Sequence, residues 1–263
     1  MSWAARRRLF ILLIIGAVVV AFLATLSIAT FYDTPTCSDS VQNQDESGID
    51  CGGSCAYLCT AELQPPTVLF AKAMSNSAGR TDVIALVENK NATAAAKDVP
   101  YRIQLYSKDR FLIQEVSGTL DVPPATTVPI FVPGIVSGKQ AVANVFLIID
   151  PASPRWFTLT QATDTRRVPT VSDTRQGGTP DAPRVEATFS NPGVTPLADV
   201  RAIVFVRDER GDVIAASSTV VPAIPAQEQA VATFTWNSAF RGTPVLIEVI
   251  PVIPLLDRQT GLP

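Results

Sequence analysis

An all-β protein, with two tandem sandwiches behind one N-terminal transmembrane helix and a small disulfide-rich module, is predicted by three features of this chain. The first is composition. Val, Ile and Thr abound, 21 prolines and 14 glycines punctuate the sequence, and long Glu/Lys/Leu runs are missing. The second is a series of short apolar segments at intervals of roughly ten residues, the spacing of sandwich strands. The third is an internal repeat of about 100 residues.

The helix comes first. Arg6, Arg7 and Arg8 precede a stretch from Leu9 to Ala29 (LFILLIIGAVVVAFLATLSIA) that carries no charge. About 20 residues at a rise of about 1.5 Å each match the roughly 30 Å hydrocarbon core of a bilayer. A helix is also the local structure that satisfies its own backbone polar groups in lipid. Three arginines before the span, and only Asp33 just after it, orient the N-terminus to the cytoplasm and the rest outward. Phe31 and Tyr32 fall where interfacial aromatics sit. A cleaved signal peptide is the competing reading, with Ser27-Ile28-Ala29 as a small-x-small site. The apolar stretch exceeds the roughly 7–15 residues of a signal core, which favours retention as an anchor. Both readings place the remaining chain outside the cytoplasm. The expectation is a single-pass cell-membrane protein whose partner is the lipid bilayer through residues 9–29.

A cysteine-rich module follows. Cys37, Cys51, Cys55 and Cys59 lie in one short window, CSDSVQNQDESGIDCGGSCAYLC. An even cysteine count in a non-cytoplasmic segment predicts two disulfides, with three connectivities open. Zinc held by four thiolates is the alternative, although the spacing lacks the usual C-x2-C knuckle. So small and polar a segment cannot build a core, and crosslinks must replace apolar burial. Gly48, Gly52 and Gly53 supply the backbone freedom that a compact loop needs. Asp39, Asn43, Glu46 and Asp50 form an oxygen-rich set that makes calcium a candidate ligand, the one cofactor the sequence suggests. The pattern is not that of an EF-hand, and the plainer reading is a solvated acidic loop whose Asp and Asn cap turns.

The segment resembles the motif C-x-D-x-x-x-N-x-x-E-x-G-x-D-C-G-G-x-C of secreted and surface-anchored bacterial proteins. Cys37, Asp39, Asn43, Glu46, Gly48, Asp50, Cys51, Gly52, Gly53 and Cys55 match it in order, with Ser40 where glycine is usual. The resemblance implies an extracellular disulfide-linked module and no defined activity.

Past Pro65-Pro66 the strands begin. Apolar segments run over Thr67–Lys72, Asp82–Glu88, Tyr101–Tyr106, Phe111–Val116, Thr127–Val132 and Val142–Ile149. The stretch Asp150–Thr165, with Trp156, reads as a link to a second series: Ala182–Ser190, Val200–Val206, Val213–Val221, Ala230–Trp236 and Val245–Val252. The two series are alike. ENKNATAAAKDVPYRIQLYSKDRFLIQ from Glu88 matches FSNPGVTPLADVRAIVFVRDERGDVIA from Phe189. Asp98-Val99 aligns with Asp199-Val200, and Pro124-Ala125 with Pro225-Ala226 at the same offset. A repeat of about 100 residues equals an immunoglobulin-like domain, so tandem domains are expected rather than a solenoid. The strand Ile103-Gln-Leu105-Tyr106 before a polar turn resembles the FxLYD-type immunoglobulin-like modules of bacterial surface proteins, while the second copy, Val204-Phe-Val206-Arg207, lacks the Tyr. This likeness bears on fold.

The organisation read from the sequence is a cytoplasmic stub (1–8), transmembrane helix (9–29), cysteine-rich module (37–59), sandwiches at 66–153 and 166–253, and a tail (254–263). The chain has no His. That removes His-dependent nucleophile activation and His-containing zinc sites, and no other catalytic constellation stands out, so an enzyme is not expected. A net charge of −3 offers no basic field for nucleic acid. What remains is a structural or interaction protein presenting its sandwiches to an extracytoplasmic protein or polysaccharide. The alternative is a single-pass accessory subunit of an envelope machine for secretion, division or pilus assembly. Trp156 and Trp236 are expected to be packing residues. Arg166-Arg167 reads as a solvated linker pair.

Overall fold

The computed structural model describes residues 3–31, 37–43, 45–75, 79–137 and 141–256. Tyr32 and the end of the tail, 257–263, lie outside these residues. The chain divides into two units, Met1–Cys55 and Ala56–Pro263, and each is described by itself.

The first unit opens with helix α1, Trp3–Phe31. It extends beyond the span 9–29 at both ends. Its side chains are exposed from Arg6 to Ser27, so no protein core accounts for the apolarity of that stretch. The hydroxyls inside the helix are satisfied locally: Thr25 Oγ1 donates to the Ala21 and Phe22 carbonyls, and Thr30 Oγ1 to Leu26. A polar side chain that bonds its own preceding turn adds no unpaired donor to an apolar surrounding.

The second unit is all β. In chain order its strands are β1 (Thr67–Ser75), β2 (Arg80–Asn89), β3 (Ala94–Tyr106), β4 (Leu112–Val122), β5 (Thr126–Ser137), β6 (Asn144–Ile149) and β7 (Trp156–Thr158). Then come β8 (Thr170–Thr179), β9 (Ala182–Ser190), β10 (Leu197–Arg207), β11 (Val213–Ile224), β12 (Gln229–Thr235) and β13 (Leu246–Val252).

Four antiparallel sheets result. Sheet β1-β2-β5 faces sheet β4-β3-β6, to which β7 adds by pairing with Ala94–Ala96 of β3. Between them lie Val83, Ala85 and Val87 of β2, Ile103 and Leu105 of β3, Leu120 and Val122 of β4, and Trp156. Sheet β12-β9-β8 faces β11-β10-β13 over Val185, Ala187, Phe189, Val204, Val206, Ile224 and Phe234. These are two sandwiches, each with its own core of alternating inward residues.

Two strands were not expected from the sequence. Trp156–Thr158 lies within the stretch read as linker, yet Trp156 is a fully buried core residue of the first sandwich. Strand β8 carries a polar, glycine-containing sequence, TVSDTRQGGT, and stays exposed along nearly its whole length as a sheet edge. It has no apolar alternation because it has almost nothing to bury.

The repeat is visible in one shared device. Asn89, at the end of β2, is buried and its Nδ2 donates to the carbonyls of Ala94 (2.8 Å) and Pro123 (2.7 Å), with Val122 at 3.5 Å. Asn191, just after β9, is also buried, and its Nδ2 reaches Thr195, Ile224 and Pro225 at 2.8, 3.2 and 3.1 Å. Each side-chain oxygen accepts from a backbone N–H two residues on, Asn91 or Gly193. Asp98 and Asp199 correspond as the alignment has it, and both adopt positive φ. The proline turn does not. Pro123 answers to Pro225 and Ala125 to Gln227, one residue beyond the sequence alignment, with the Ala125 and Gln227 amides bonding to Asn91 and Gly193.

The sandwiches do not hang free of one another. The outer face of β1-β2-β5 packs on the outer face of β11-β10-β13. Ile84, Ile203, Phe205, Val213 and Ala216 form a third buried cluster, joined by Phe70, Leu86, Phe131 and Ile250. Phe70 and Phe205 meet edge to face with centroids 6.1 Å apart, and the Arg207 guanidinium lies 5.6 and 5.9 Å from those two rings. Arg207 is held there by Glu248 at 2.8 Å. Lys72 Nζ donates to the Val213 carbonyl and Arg241 Nη2 to that of Ser75.

Candidate functional site

Where the two sandwiches meet, they leave a groove of about 630 Å³, within the range of ligand sites and at the position, a domain junction, where such sites concentrate. One wall is Thr126–Phe131 of β5. The other is Ile250–Pro254, which comprises the end of β13 and the two residues beyond it. Side chains alternate across a strand, so an unbroken run of lining residues means that each strand turns its edge to the groove. Both are terminal strands: β5 pairs with β2, and β13 with β10. Pro129, Pro251 and Pro254 withhold N–H donors along these edges, which blunts them against open-ended pairing.

The polar groups of the groove come from both sandwiches. Asp98, Tyr101 and Asp121 belong to the first, Asp199 and Arg201 to the second, and Arg166 to the connection between them. Several are already committed. Arg166 Nε and Nη2 clasp the Asp164 carboxylate at 2.7–3.2 Å. That hydrogen bonding holds Asp164 below the usual carboxylate range. Its contribution is complete above the ordinary carboxylate value and is lost as pH falls through the lowered one. Asp121 accepts from the Asp98 and Leu255 amides, pinning buried Leu255 to the first sandwich.

Three charges are left over. Among the described residues, the side chains of Asp98, Asp199 and Arg201 have no hydrogen-bond or ion-pair partner. Beside them stands Tyr101, only 9 % exposed, whose ring belongs to the first core while its residue lines the groove. Its hydroxyl has no partner among the described residues. Burial pushes the phenol above its ordinary value, and Arg201 pulls it back.

Tyr101 owes its place to Gly118, its cross-strand partner on β4, because a Cβ there would overlap the phenol. Gly118→Ala is expected to displace the ring at a cost of about 1–3 kcal/mol, the usual range for overpacking. A denaturant midpoint followed by Trp156 fluorescence reads it.

The disulfide, calcium and orientation residues predicted from the sequence lie in the first unit, apart from Cys59. Arg6, Arg7 and Arg8 sit exposed in the first turns of α1, with Arg7 over the Trp3 ring at 5.6 Å. Cys37 and Cys55 form a disulfide, Cys51 and Cys59 are disulfide-bonded as well, and no cysteine is free. Gly52 and Gly53 take positive φ, and at Gly53 a Cβ would strike the Asp45 carbonyl. Gly48 instead bridges Cys51 through two backbone hydrogen bonds.

The oxygen-rich set is drawn together around the loop's own amides. Asp50 accepts from the Asp39 and Ser40 N–H groups, Asp39 from the Val41 amide and Asn43 Nδ2, and Glu46 Oε2 from the Asn43 N–H. Glu46 is buried, with Oε1 lying 3.1 Å from Cys55 Sγ. A disulfide sulfur has no proton to give, so that contact leaves Oε1 without a donor among the described residues. Asn43 Oδ1 is likewise buried and without a partner among them. A cation entering this loop would find those two oxygens open and would have to compete with amides for the rest. A melting curve with and without chelator separates the two uses of the loop, and no shift is the result that its hydrogen bonds alone predict.

No protein-family model matches the sequence, and no curated protein matches it. Among solved structures, the chain is similar to red sea bream transglutaminase at 12% identity, covering 75% of this chain and 32% of that one, with a TM-score of 0.25. The chain spans about a third of that structure's length.

Proposed function

We propose that this chain is a membrane-anchored, extracytoplasmic interaction protein. It holds a paired immunoglobulin-like head outside the cell by the helix that begins at Trp3, with its N-terminus in the cytoplasm. It binds a partner rather than transforming a substrate. The observation that carries this reading is the buried cluster around Ile84 and Phe205, which makes one body of two sandwiches. A packed pair offers a partner fixed geometry across both modules, so recognition does not pay to order a flexible joint. The exposed apolar helix and the disulfide module between it and the strands support the location.

Intact mass and alkaline extraction of the membrane-bound protein test the anchor. The expected result is a carbonate-resistant chain that still carries residues 1–8, with its sandwiches cut by protease added outside the cell. A mature chain beginning near residue 30, or sandwiches protected from outside protease, overturns it.

A further inference from the structure

The inter-sandwich groove holds features that the packing of the sandwiches does not use. Arg201 lines it without a carboxylate partner among the described residues. Next to it is Tyr101, a residue nine-tenths buried whose hydroxyl has no partner there either. The phenol ring is packed in the core while its hydroxyl opens to the groove, and beside the Arg201 guanidinium it makes an anionic oxygen the group that both would bind. Asp98 and Asp199 place unpaired negative charge in the same groove. The walls between these groups are apolar from Val128 to Phe131 and from Ile250 to Pro254, and they are strand edges rather than sheet faces.

We propose that this groove binds an extended peptide segment of mixed charge. Its carboxylate would be taken by Arg201 and Tyr101, its basic side chain by Asp199 and Asp98, and its apolar middle would lie between β5 and β13. The occupant is a peptide rather than an acyl chain for two reasons. An acyl carboxylate would leave both aspartates unanswered, whereas a peptide answers both signs. A peptide also brings backbone donors and acceptors to two strand edges that no further strand covers. The prolines on those edges interrupt any continuous ladder, so side-chain charge rather than strand length selects the segment. The proposal rests on the reading of this head as an interaction module.

The test is a random dodecapeptide display library panned on the full chain in nanodiscs. Enriched peptides are then synthesised and their affinity read by fluorescence anisotropy. The expected winners carry an acidic and a basic residue around a β-branched or aliphatic middle. Arg201→Gln and Tyr101→Phe should each weaken them about tenfold, with an unchanged melting temperature. Asp199→Asn should weaken basic-residue peptides while sparing a version with that residue replaced by Gln. Tyr101→Phe removes one oxygen from a core ring, so it stays informative where a larger change disturbs folding. The proposal is overturned by a panel without saturable binders, by winners lacking an acidic residue, by affinities indifferent to Arg201 and Tyr101, or by decanoate binding in place of peptide. Such a failure, with residues 1–8 retained and the sandwiches open to outside protease, removes the groove assignment alone. A cleaved N-terminus removes the anchor alone.

Discussion

Asn89→Ala and Asn191→Ala are each expected to destabilise their sandwich by about 3–5 kcal/mol, near the top of the range for single substitutions. The physical reason is a concentration of unpaired groups. Each side chain is fully buried and ties the end of one strand to carbonyls of two other segments: Ala94 and Pro123 for Asn89, Thr195 and Pro225 for Asn191. Alanine removes the donors and leaves the carbonyls in place. It also frees the N–H of Asn91 or Gly193. Leu and Asp are no remedy, since one cannot bond and the other brings a charge that accepts where donation is required. The chain supplies its own reporters, Trp156 in the first core and Trp236 beside the second, where its Nε1 donates to the Ala216 carbonyl. In a Trp3→Phe background, Asn89→Ala should bring the Trp156 transition ahead of that of Trp236, and Asn191→Ala should reverse the order. Shifts under about 1 kcal/mol, the net worth of one ordinary hydrogen bond, would mean that the carbonyls find other partners.

These asparagines also show how far the sequence could be read. The asparagines themselves are in plain view, since Asn89-Lys-Asn91 and Asn191-Pro-Gly193 both fall within the two segments that match. Their inward orientation is not, since a buried Asn and a solvated turn Asn are the same letter. The one-residue discrepancy at the proline turns has the same root. Pro124-Ala125 and Pro225-Ala226 look alike, yet what aligns in space is the carbonyl that each Asn reaches. Strand β8 was out of reach for a different reason: as an exposed edge strand it is under no pressure to alternate. Of the groove, nothing was legible beyond Arg166, read as a solvated pair with Arg167, because its walls are two strands more than a hundred positions apart in the chain.

The contact between the sandwiches, by contrast, left a signal. Strands with one covered face alternate, as in Tyr101-Arg-Ile-Gln-Leu-Tyr106, whose Arg102 and Gln104 look outward. Strands β2 and β10 break that rule with the unbroken runs Val83-Ile-Ala-Leu-Val87 and Ala202-Ile-Val-Phe-Val206. A continuous apolar run in an antiparallel sheet means both faces are covered. Runs on β2 and β10, strands that do not correspond between the copies, are the signature of a heterologous contact. The first sandwich presents its β2 sheet and the second its β10 sheet. The sheets that correspond to these but take no part, β4-β3-β6 and β12-β9-β8, carry polar outward residues such as Arg102, Gln104, Arg184 and Glu186.

Phe205→Ala should therefore do more than open a cavity. Loss of a fully buried Phe costs about 3–5 kcal/mol. Here the cost falls on the contact, since Phe205 meets Phe70 across the junction and shares Arg207 with it. The parent is expected to unfold with coincident Trp156 and Trp236 transitions, because each sandwich gains from the other's folded face. In the variant, the Trp236 transition should come first and the Trp156 transition should follow separately, as a domain that has lost its neighbour. A double-mutant cycle with Phe70→Ala isolates the ring pair, with an expected coupling of about 0.5–1.5 kcal/mol. The groove provides an independent readout: its two walls come from different sandwiches, so peptide affinity should fall in Phe205→Ala although Phe205 does not line it. Coincident transitions in the variant together with undiminished affinity would show that the remaining contacts, Lys72 to Val213 and Arg241 to Ser75 among them, suffice to hold the pair.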